Sequence, residues 1–470
     1  MMFTKGQQVK IEIIDISNEG QGIGKAEGLA VFVGNTVIGD QVTAELTKVK
    51  KNYAFGKLIS IDQPSPHRIT PLCQYADQCG GCPFASTDYA GQLAVKQKQV
   101  ADRLSRISGI ENPRINEIIS MEEPFAYRNK ATFPISTGGN IMRKGGIIEN
   151  LGEPAIGFYK GKSHDVVDCQ QCLIQSPAAM AAAAAMRQFM IEDHITAWDE
   201  KWQQGLMKSM VVKTAFATGE VMVVLNINGK GIPASAKLIQ MLDDYIYEAG
   251  YSLESVVLDN EKEIIPLAGK QIIKEEIGQL SVELSPRSFY QVNPAMAKEL
   301  YELVRTYAGL TGTENVLDLY CGVGSIGLYC AKEAGYVLGI ESLKDAVLDA
   351  NRNAVINGIV NARFLCGKAE EALPKLLAGE GDEDLVRVAR NADVVILDPP
   401  RAGCQPWLLD AVAEVAPAKI VYVSCDPATL ARDVKYLGDH GYEFVEATPV
   451  DMFAWTGHVE TVVLMSRVEK

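Results

Sequence analysis

From residue 1 to about 62, apolar and polar positions alternate over short stretches, QVKIEIIDIS, GLAVFVG, DQVTAELTKV and FGKLISI, broken by Gly and Asn. Short alternating runs at regular spacing predict strands, and a succession of them predicts a small β-barrel. The Pro-containing DQPSPHR then reads as a linker. Between 63 and 285 the pattern is mixed. A Cys-rich loop precedes the amphipathic helix DYAGQLAVKQKQVADRLSRI, SPAAMAAAAAMRQFM is a strong helix former, and MVVKTAFATGEVMVVLNI has the pattern of a hairpin turning at Ala217-Thr218-Gly219. From 286 onward the strand runs NVLDLYCG, YVLGIE, ARFLCG, DVVILDPP and KIVYVSCD alternate with helical material, which predicts a parallel sheet with helices on both faces. Two last strands, YEFVEATPVD and HVETVVLMS, lack a clear helix between them and are expected to pair antiparallel at one edge. The acidic GEGDEDLVRVAR reads as a solvated loop or helix end. The expectation is an α/β chain of three domains, an OB-like β-barrel over 1–62, a mixed α+β domain over 63–285 and a doubly wound sheet over 286–470.

Composition adds limits. At 470 residues, 47% hydrophobic and 22% charged, the chain can bury a core in each part. No apolar run reaches 18 residues, and MMFTKGQQVK lacks the apolar core of a secretion signal, so a cytoplasmic protein without a membrane partner is expected. Ten cysteines in such a chain argue for metal binding, catalysis or burial rather than disulfides. The net charge of −14 speaks against a nucleic-acid partner only on average. Nearly all of the excess acid lies beyond residue 180, and the neutral front part carries basic clusters such as KVKKNYAFGK. A local basic stripe is what phosphates feel.

The run VLDLYCGVGSIGLYCA is a strand, a Gly-rich turn and a helix, with Gly322, Gly324 and Gly327 at G-x-G-x-x-G spacing and Glu341 ending the next strand. Glycines let backbone approach a ligand, and a carboxylate there can accept from two ribose hydroxyls. The pattern alone fits a dinucleotide, S-adenosylmethionine, or a tight turn with no ligand. Asp318 and Cys321 favour a sulfonium ligand over a pyrophosphate. Asp398, at the end of the fourth strand in VVILDPPRAG, should face the ligand, because the first and fourth strands flank the topological switch. An Asp-Pro turn is the plainer reading of the same residues.

Cys425 ends the fifth strand in KIVYVSCDPATLARD, where Asp426-Pro427 opens a helix. A thiol at a helix N-terminus is expected to be unusually acidic. Thiolate addition at carbon 6 of a pyrimidine makes carbon 5 nucleophilic enough to take a methyl group, after which a base must remove the carbon 5 proton. Alternation in GHVETVVLM puts His458, Glu460, Val462 and Leu464 on one face, and a carboxylate among apolar neighbours has a raised pKa suited to that base. Glu460 on the outer face of an edge strand is the rival reading; for Cys425 it is a small buried hydrophobe. Cys73, Cys79 and Cys82 form C-x5-C-x2-C, and DCQQCLIQ supplies Cys169 and Cys172. All-thiolate ligation of this kind suits zinc or an iron–sulfur cluster, and the spacing does not choose.

DLYCGVGSIGL, LDPPRAG, VSCDPATLARD and DMFAWTGHVETV together resemble the RNA uracil-5-methyltransferase family over nearly the whole chain. The resemblance implies a class I S-adenosylmethionine methyltransferase sheet, Cys425 as nucleophile and Glu460 as base. Because SFYQVNP resembles a cofactor-binding segment of the family, Gln291 joins Tyr320, Glu341 and Asp398 as implied cofactor contacts. The family further implies a [4Fe–4S] cluster on Cys73, Cys79, Cys82 and Cys172, with Cys169 an extra thiol. Lys368, in CGKAEE, stands where relatives often have an acid, which puts the adenine contacts of that loop in doubt. The first domain resembles the TRAM domain, whose strip Lys48, Lys50, Lys51 and Lys57 could contact phosphates with Tyr53 and Phe55 interleaved for stacking. Arg128 and Lys130 in FAYRNKATF resemble an RNA-contacting segment. The implied substrate is large-subunit (23S) ribosomal RNA first and tRNA second, since tRNA relatives tend to lack the TRAM domain. Nothing demands more than a monomer. A cytosine-5 methyltransferase and a non-catalytic RNA-binding module are the rival readings.

Overall fold

The computed structural model describes residues 3–17, 19–137, 141–144, 147–150 and 153–468. Strands β1 (Gln8–Ile16), β2 (Gly22–Ala26), β3 (Leu29–Val33), β4 (Gln41–Val49) and β5 (Tyr53–Gln63) close into a barrel in the order β1-β2-β3-β5-β4. Alternation drives it: Val9, Ile11 and Ile13 face a core shared with Val31, Val42 and Leu46, while Lys10 and Glu12 face water. The sequence pattern names only four of the five strands. β2, GIGKA, escapes it because its glycines serve close approach rather than burial, a Cβ at Gly24 meeting Glu12 O at 2.5 Å. Lys48, Lys50, Lys51 and Lys57 are exposed, and Phe32, Tyr53 and Phe55 cluster outside the barrel core with centroids 5.6 to 6.0 Å apart.

Helix α1 (Tyr89–Arg103) starts at Asp88, whose carboxylate accepts from Gly91 N, and runs on through a wide turn over 104–108. Strand β6 (Lys130–Ser136) follows, then the hairpin β7 (Ile141–Lys144) and β8 (Ile147–Asn150), then β9 (Ala155–Tyr159) and β10 (Val166–Asp168). Ser176 and Pro177 open α2 (Pro177–Glu192), whose alanines, Met186 and Phe189 bury against the sheet. β11 (Met207–Thr214) and β12 (Glu220–Ile227) form the expected hairpin, Gly219 taking φ +74° at its turn. After α3 (Ser235–Glu248), β13 (Ser252–Asp259) and β14 (Ile264–Gly269) complete a seven-stranded sheet, β10-β9-β6-β11-β12-β13-β14.

The hairpin β15 (Ile273–Ile277) and β16 (Leu280–Leu284) and helix α4 (Pro294–Ala308) lead into alternating strands and helices. These are β17 (Asn315–Leu319), α5 (Ser325–Ala331), β18 (Tyr336–Glu341), α6 (Lys344–Ile356) and β19 (Ala362–Cys366). They continue with α7 (Ala369–Ala378), α8 (Glu383–Arg390), β20 (Val394–Leu397), α9 (Pro406–Val415), β21 (Lys419–Ser424), α10 (Pro427–Asp439), β22 (Tyr442–Val450) and β23 (Glu460–Arg467). The sheet order is β19-β18-β17-β20-β21-β23-β22, with β23 antiparallel to both neighbours. The acidic stretch expected to be a solvated loop or helix end contains a helix of its own, α8, because Asp382 caps it and Leu385, Val388 and Ala389 are buried along one face. The last two strands pair antiparallel as expected, but β22 is the edge and β23 lies inside. Among the described residues no helix is long and apolar enough to cross a membrane.

Candidate active site

The chain order reverses between β17 and β20, and a cavity of about 800 Å³ opens beyond the carboxyl ends of these strands. Gln291, Tyr320, Glu341, Asp398, Cys425 and Glu460, the six residues singled out from sequence, all line it. Gly322 N donates to Glu341 Oε2 at 3.1 Å, while Oε1 accepts from Leu343 N at 2.8 Å, so that carboxylate is fixed over the Gly-rich turn. Gly324 caps α5 with φ +78°. Gln291 sits on the segment before α4, with its carbonyl accepting from Asn129 Nδ2 at 3.0 Å. Tyr320 takes φ +65° at the strand end and donates to Glu370 at 2.6 Å. Lys368 also borders the cavity and pairs with Glu371 at 3.2 Å.

Asp318, expected to serve the ligand, does not line the cavity. It is fully buried under the turn, where Oδ2 accepts from Gly327 N at 2.8 Å, leaving Oδ1 without a protein partner among the described residues. Burial pushes its carboxyl up to about 7. Cys321 does border the cavity.

Burial, with the Asp318 charge next, likewise pushes the Asp398 carboxyl up to about 7. Glu460 is 4% exposed, and burial followed by the Asp398 charge raises it to about 8, with Arg401 opposing. Its place on an interior strand disposes of the edge-strand reading.

Cys425 corrects an expectation. Burial first, then Glu460, push its thiol up to about 11, against the pull of Arg401. The helix end does not acidify it because Asp426 caps α10 itself: its Oδ1 accepts from Ala428 N at 2.8 Å and Thr429 N at 3.1 Å. The free donors and the positive end of the helix are answered by that carboxylate before the thiol can use them.

The lining residues missed in the sequence include Arg401 and the exposed Phe289, and His458, read there only as sharing a face with Glu460, also lines the cavity. Arg401 Nη2 lies 3.4 Å from His458 Nε2, and burial followed by the Arg401 charge lowers the imidazole pKa. The signal available for Arg401 was its place directly after Asp398-Pro399-Pro400. A second cavity of about 230 Å³ lies on another side of Cys425, bordered by Gln99, Arg103, Arg401 and His458. Cys425 therefore stands in the wall between two spaces.

The expected cluster residues are only partly assembled. Cys73, Cys82 and Cys172 line one small cavity with Phe125 and Trp455, while Cys79, a free thiol near them, is hydrogen-bonded to the buried free thiol of Cys169. Among the described residues no three Cys, His, Asp or Glu side chains are arranged to hold a metal ion. Arg128 and Lys130 are both half-buried, and burial followed by the neighbouring Arg128 charge lowers the Lys130 pKa.

This sheet order, Gly-rich turn and ribose-type carboxylate define a class I S-adenosylmethionine-dependent methyltransferase. A family model described as tRNA (Uracil-5-)-methyltransferase matches residues 255–468, and a TRAM domain model matches residues 3–59. An uncharacterised RNA methyltransferase of Caldanaerobacter subterraneus is 42% identical over 98% of this chain and 99% of its own. One from Halalkalibacterium halodurans is 38% identical over 98% and 97%. The crystal structure of Pyrococcus abyssi tRNA (uracil-54, C5)-methyltransferase with S-adenosyl-L-homocysteine superposes with a TM-score of 0.73, at 28% identity over 97% of this chain and 100% of that one. The chain belongs to the RNA uracil-5-methyltransferase family.

Proposed function

We propose that the protein transfers a methyl group from S-adenosylmethionine to carbon 5 of specific uridines in 23S ribosomal RNA, through a covalent bond to Cys425. The observation that carries this reading is the presence of Cys425 and Glu460 in the same cavity as the Gly-rich turn and Glu341. Gln291, Tyr320, Glu341 and Asp398 hold the methyl donor, and the uridine, turned out of its stack, enters from the second cavity beside Arg401. The Cys425 thiol gives its proton to water, and the sulfur adds to carbon 6 while the π pair between carbons 5 and 6 moves toward the ring carbonyl. Arg401 favours both the thiolate and the enolate. Carbon 5 then displaces S-adenosylhomocysteine by attacking the sulfonium methyl. Glu460, ionised above about 8, removes the carbon 5 proton, and the sulfur leaves carbon 6 with its bonding pair.

We also propose that the protein works as a cytoplasmic monomer, with the barrel lysines and surface aromatics gripping RNA. We further place a [4Fe–4S] cluster on Cys73, Cys79, Cys82 and Cys172. Supporting it, three of these thiols share one cavity; Cys79 would have to exchange its hydrogen bond with Cys169 for a metal bond. Thiolate donors suit iron, and no step of the methyl transfer passes through it.

A second target has an observation in its favour. The Pyrococcus protein, whose name specifies tRNA uracil-54, aligns over 97% of this chain. That extent weakens the argument that a barrel-bearing relative acts on ribosomal RNA. A substrate test separates the two. A transcript carrying 5-fluorouridine has no carbon 5 proton to lose, so it should stay bonded to Cys425 through denaturing electrophoresis. Trapping of a 23S fragment but not tRNA supports the proposal, and the reverse transfers it to tRNA. Trapping that survives Cys425→Ala would contradict the mechanism.

A further inference from the structure

The segment between β22 and β23, Asp451 to Val459, has no regular secondary structure, yet it is almost wholly buried. Four successive carbonyls in it accept from four different places. Met452 O accepts from Asn293 Nδ2 at 3.3 Å, Phe453 O from Lys96 Nζ at 2.9 Å, Ala454 O from Tyr127 Oη at 2.9 Å and Trp455 O from Phe84 N at 3.1 Å. Three of the four donors belong to residues 84–127, outside the sheet that carries the segment.

Lys96 is the centre of this arrangement. It lies on α1, is fully buried, and also donates to Asp451 Oδ1 at 2.5 Å, while Tyr89 Oη donates to Oδ2 at 2.8 Å. Asp451 is equally buried. Taking both charges out of water costs more than an apolar pair of the same volume would, so stability alone does not explain the pair. Trp455 is held harder still. It takes φ +68°, which is strained for a tryptophan, and is fixed by Gln92 Oε1, accepting from its N–H at 2.7 Å, and by Pro124 O, accepting from its indole at 2.8 Å. Such strain persists only where the surroundings over-determine the backbone. His458 lies near the end of this segment, and Glu460 comes directly after it.

We infer that Lys96 is a positioning residue for proton removal: by tying Asp451 and the Phe453 carbonyl to α1, it sets the Glu460 carboxylate against carbon 5 of the target. The inference rests on the proposed role of Glu460. It links the central domain to the proton-removal step. Cys425 and the cofactor turn follow β21 and β17 and are not part of the clamped segment, whereas Arg401 meets that segment at His458.

The test follows from that link. Lys96→Met alone leaves a buried anion and risks misfolding, so it is paired with Lys96→Met/Asp451→Asn, which removes both charges and keeps the hydroxyl of Tyr89 bonded. Lys96→Arg serves as the conservative variant. Misplacing a catalytic group by about 1 Å costs roughly 100-fold. The double variant should therefore lose on the order of 10- to 100-fold in kcat, with KM for RNA and for S-adenosylmethionine nearly unchanged. It should also accumulate RNA that is already methylated and still bonded to Cys425, as Glu460→Gln should, whereas Lys96→Arg should restore turnover substantially. A folded double variant that turns over normally, or slows without accumulating the methylated adduct while Glu460→Gln accumulates it, overturns the inference. If Glu460→Gln itself accumulates no such adduct, the assignment of the base falls and the inference falls with it.

Discussion

Cys425 and Glu460 are one electrostatic unit, and that makes the thiol's acidity a direct probe of the site. Burial contributes most to its raised pKa, Glu460 raises it further and Arg401 lowers it. Glu460→Gln should therefore move the pH profile of Cys425 alkylation by iodoacetamide to lower pH, and Arg401→Gln should move it to higher pH. A shift of one unit changes the thiolate fraction about tenfold at a fixed pH below the pKa; peptide mass analysis isolates Cys425 from the other thiols. Profiles that do not respond, or respond with the opposite signs, would break the arrangement. Much at this scale was legible, because strand ends followed by Gly or Asp-Pro mark where side chains can meet a ligand. The acidity of Cys425 was not, since Asp426 reads equally well as a helix start and as a competitor for its dipole. Asp318 was misplaced because a strand's last residues alternate between cavity and core, and one position decides which.

At the level of elements, the contact between β17 and α5 depends on a missing side chain. A Cβ at Gly327 would meet Asp318 Oδ2 at 2.7 Å and Val337 Cγ1 at 3.0 Å, in the place where Gly327 N donates to the same carboxylate. Within an ordinary helix Gly→Ala stabilises by about 1 kcal/mol. Here overpacking should reverse the sign, and Gly327→Ala should destabilise by about 1–3 kcal/mol in urea unfolding and weaken cofactor binding; a stabilised variant would refute the close packing. The alternation of strands and helices in this sheet was readable because its strands are continuous apolar runs. α8 was hidden because its three buried residues follow an acidic run and share a short helix with two arginines, and β2 because its glycines carry almost no hydrophobic signal.

For the whole molecule, the sequence delimited a barrel, a mixed region and a doubly wound sheet, but not how they lock together. The order β10-β9-β6-β11-β12-β13-β14 pairs strands distant in sequence, and no local pattern encodes such partners. The same holds for the clamp from α1 to Asp451, which joins residues 355 positions apart. The cysteine spacing was visible, yet the hydrogen bond between the free thiols of Cys79 and Cys169 depends on where β9 and β10 bring the later residues. In the proposed function these parts unite in delivering one uridine to Cys425, and the most direct measurement of that is made on cellular RNA. Ribosomal RNA and tRNA from cells with and without the protein would be digested and mapped for 5-methyluridine by mass spectrometry. The account predicts loss of the mark at a defined 23S position, restored by the wild-type protein and not by Cys425→Ala. An unchanged 5-methyluridine pattern in both RNAs, or restoration by Cys425→Ala, would contradict it.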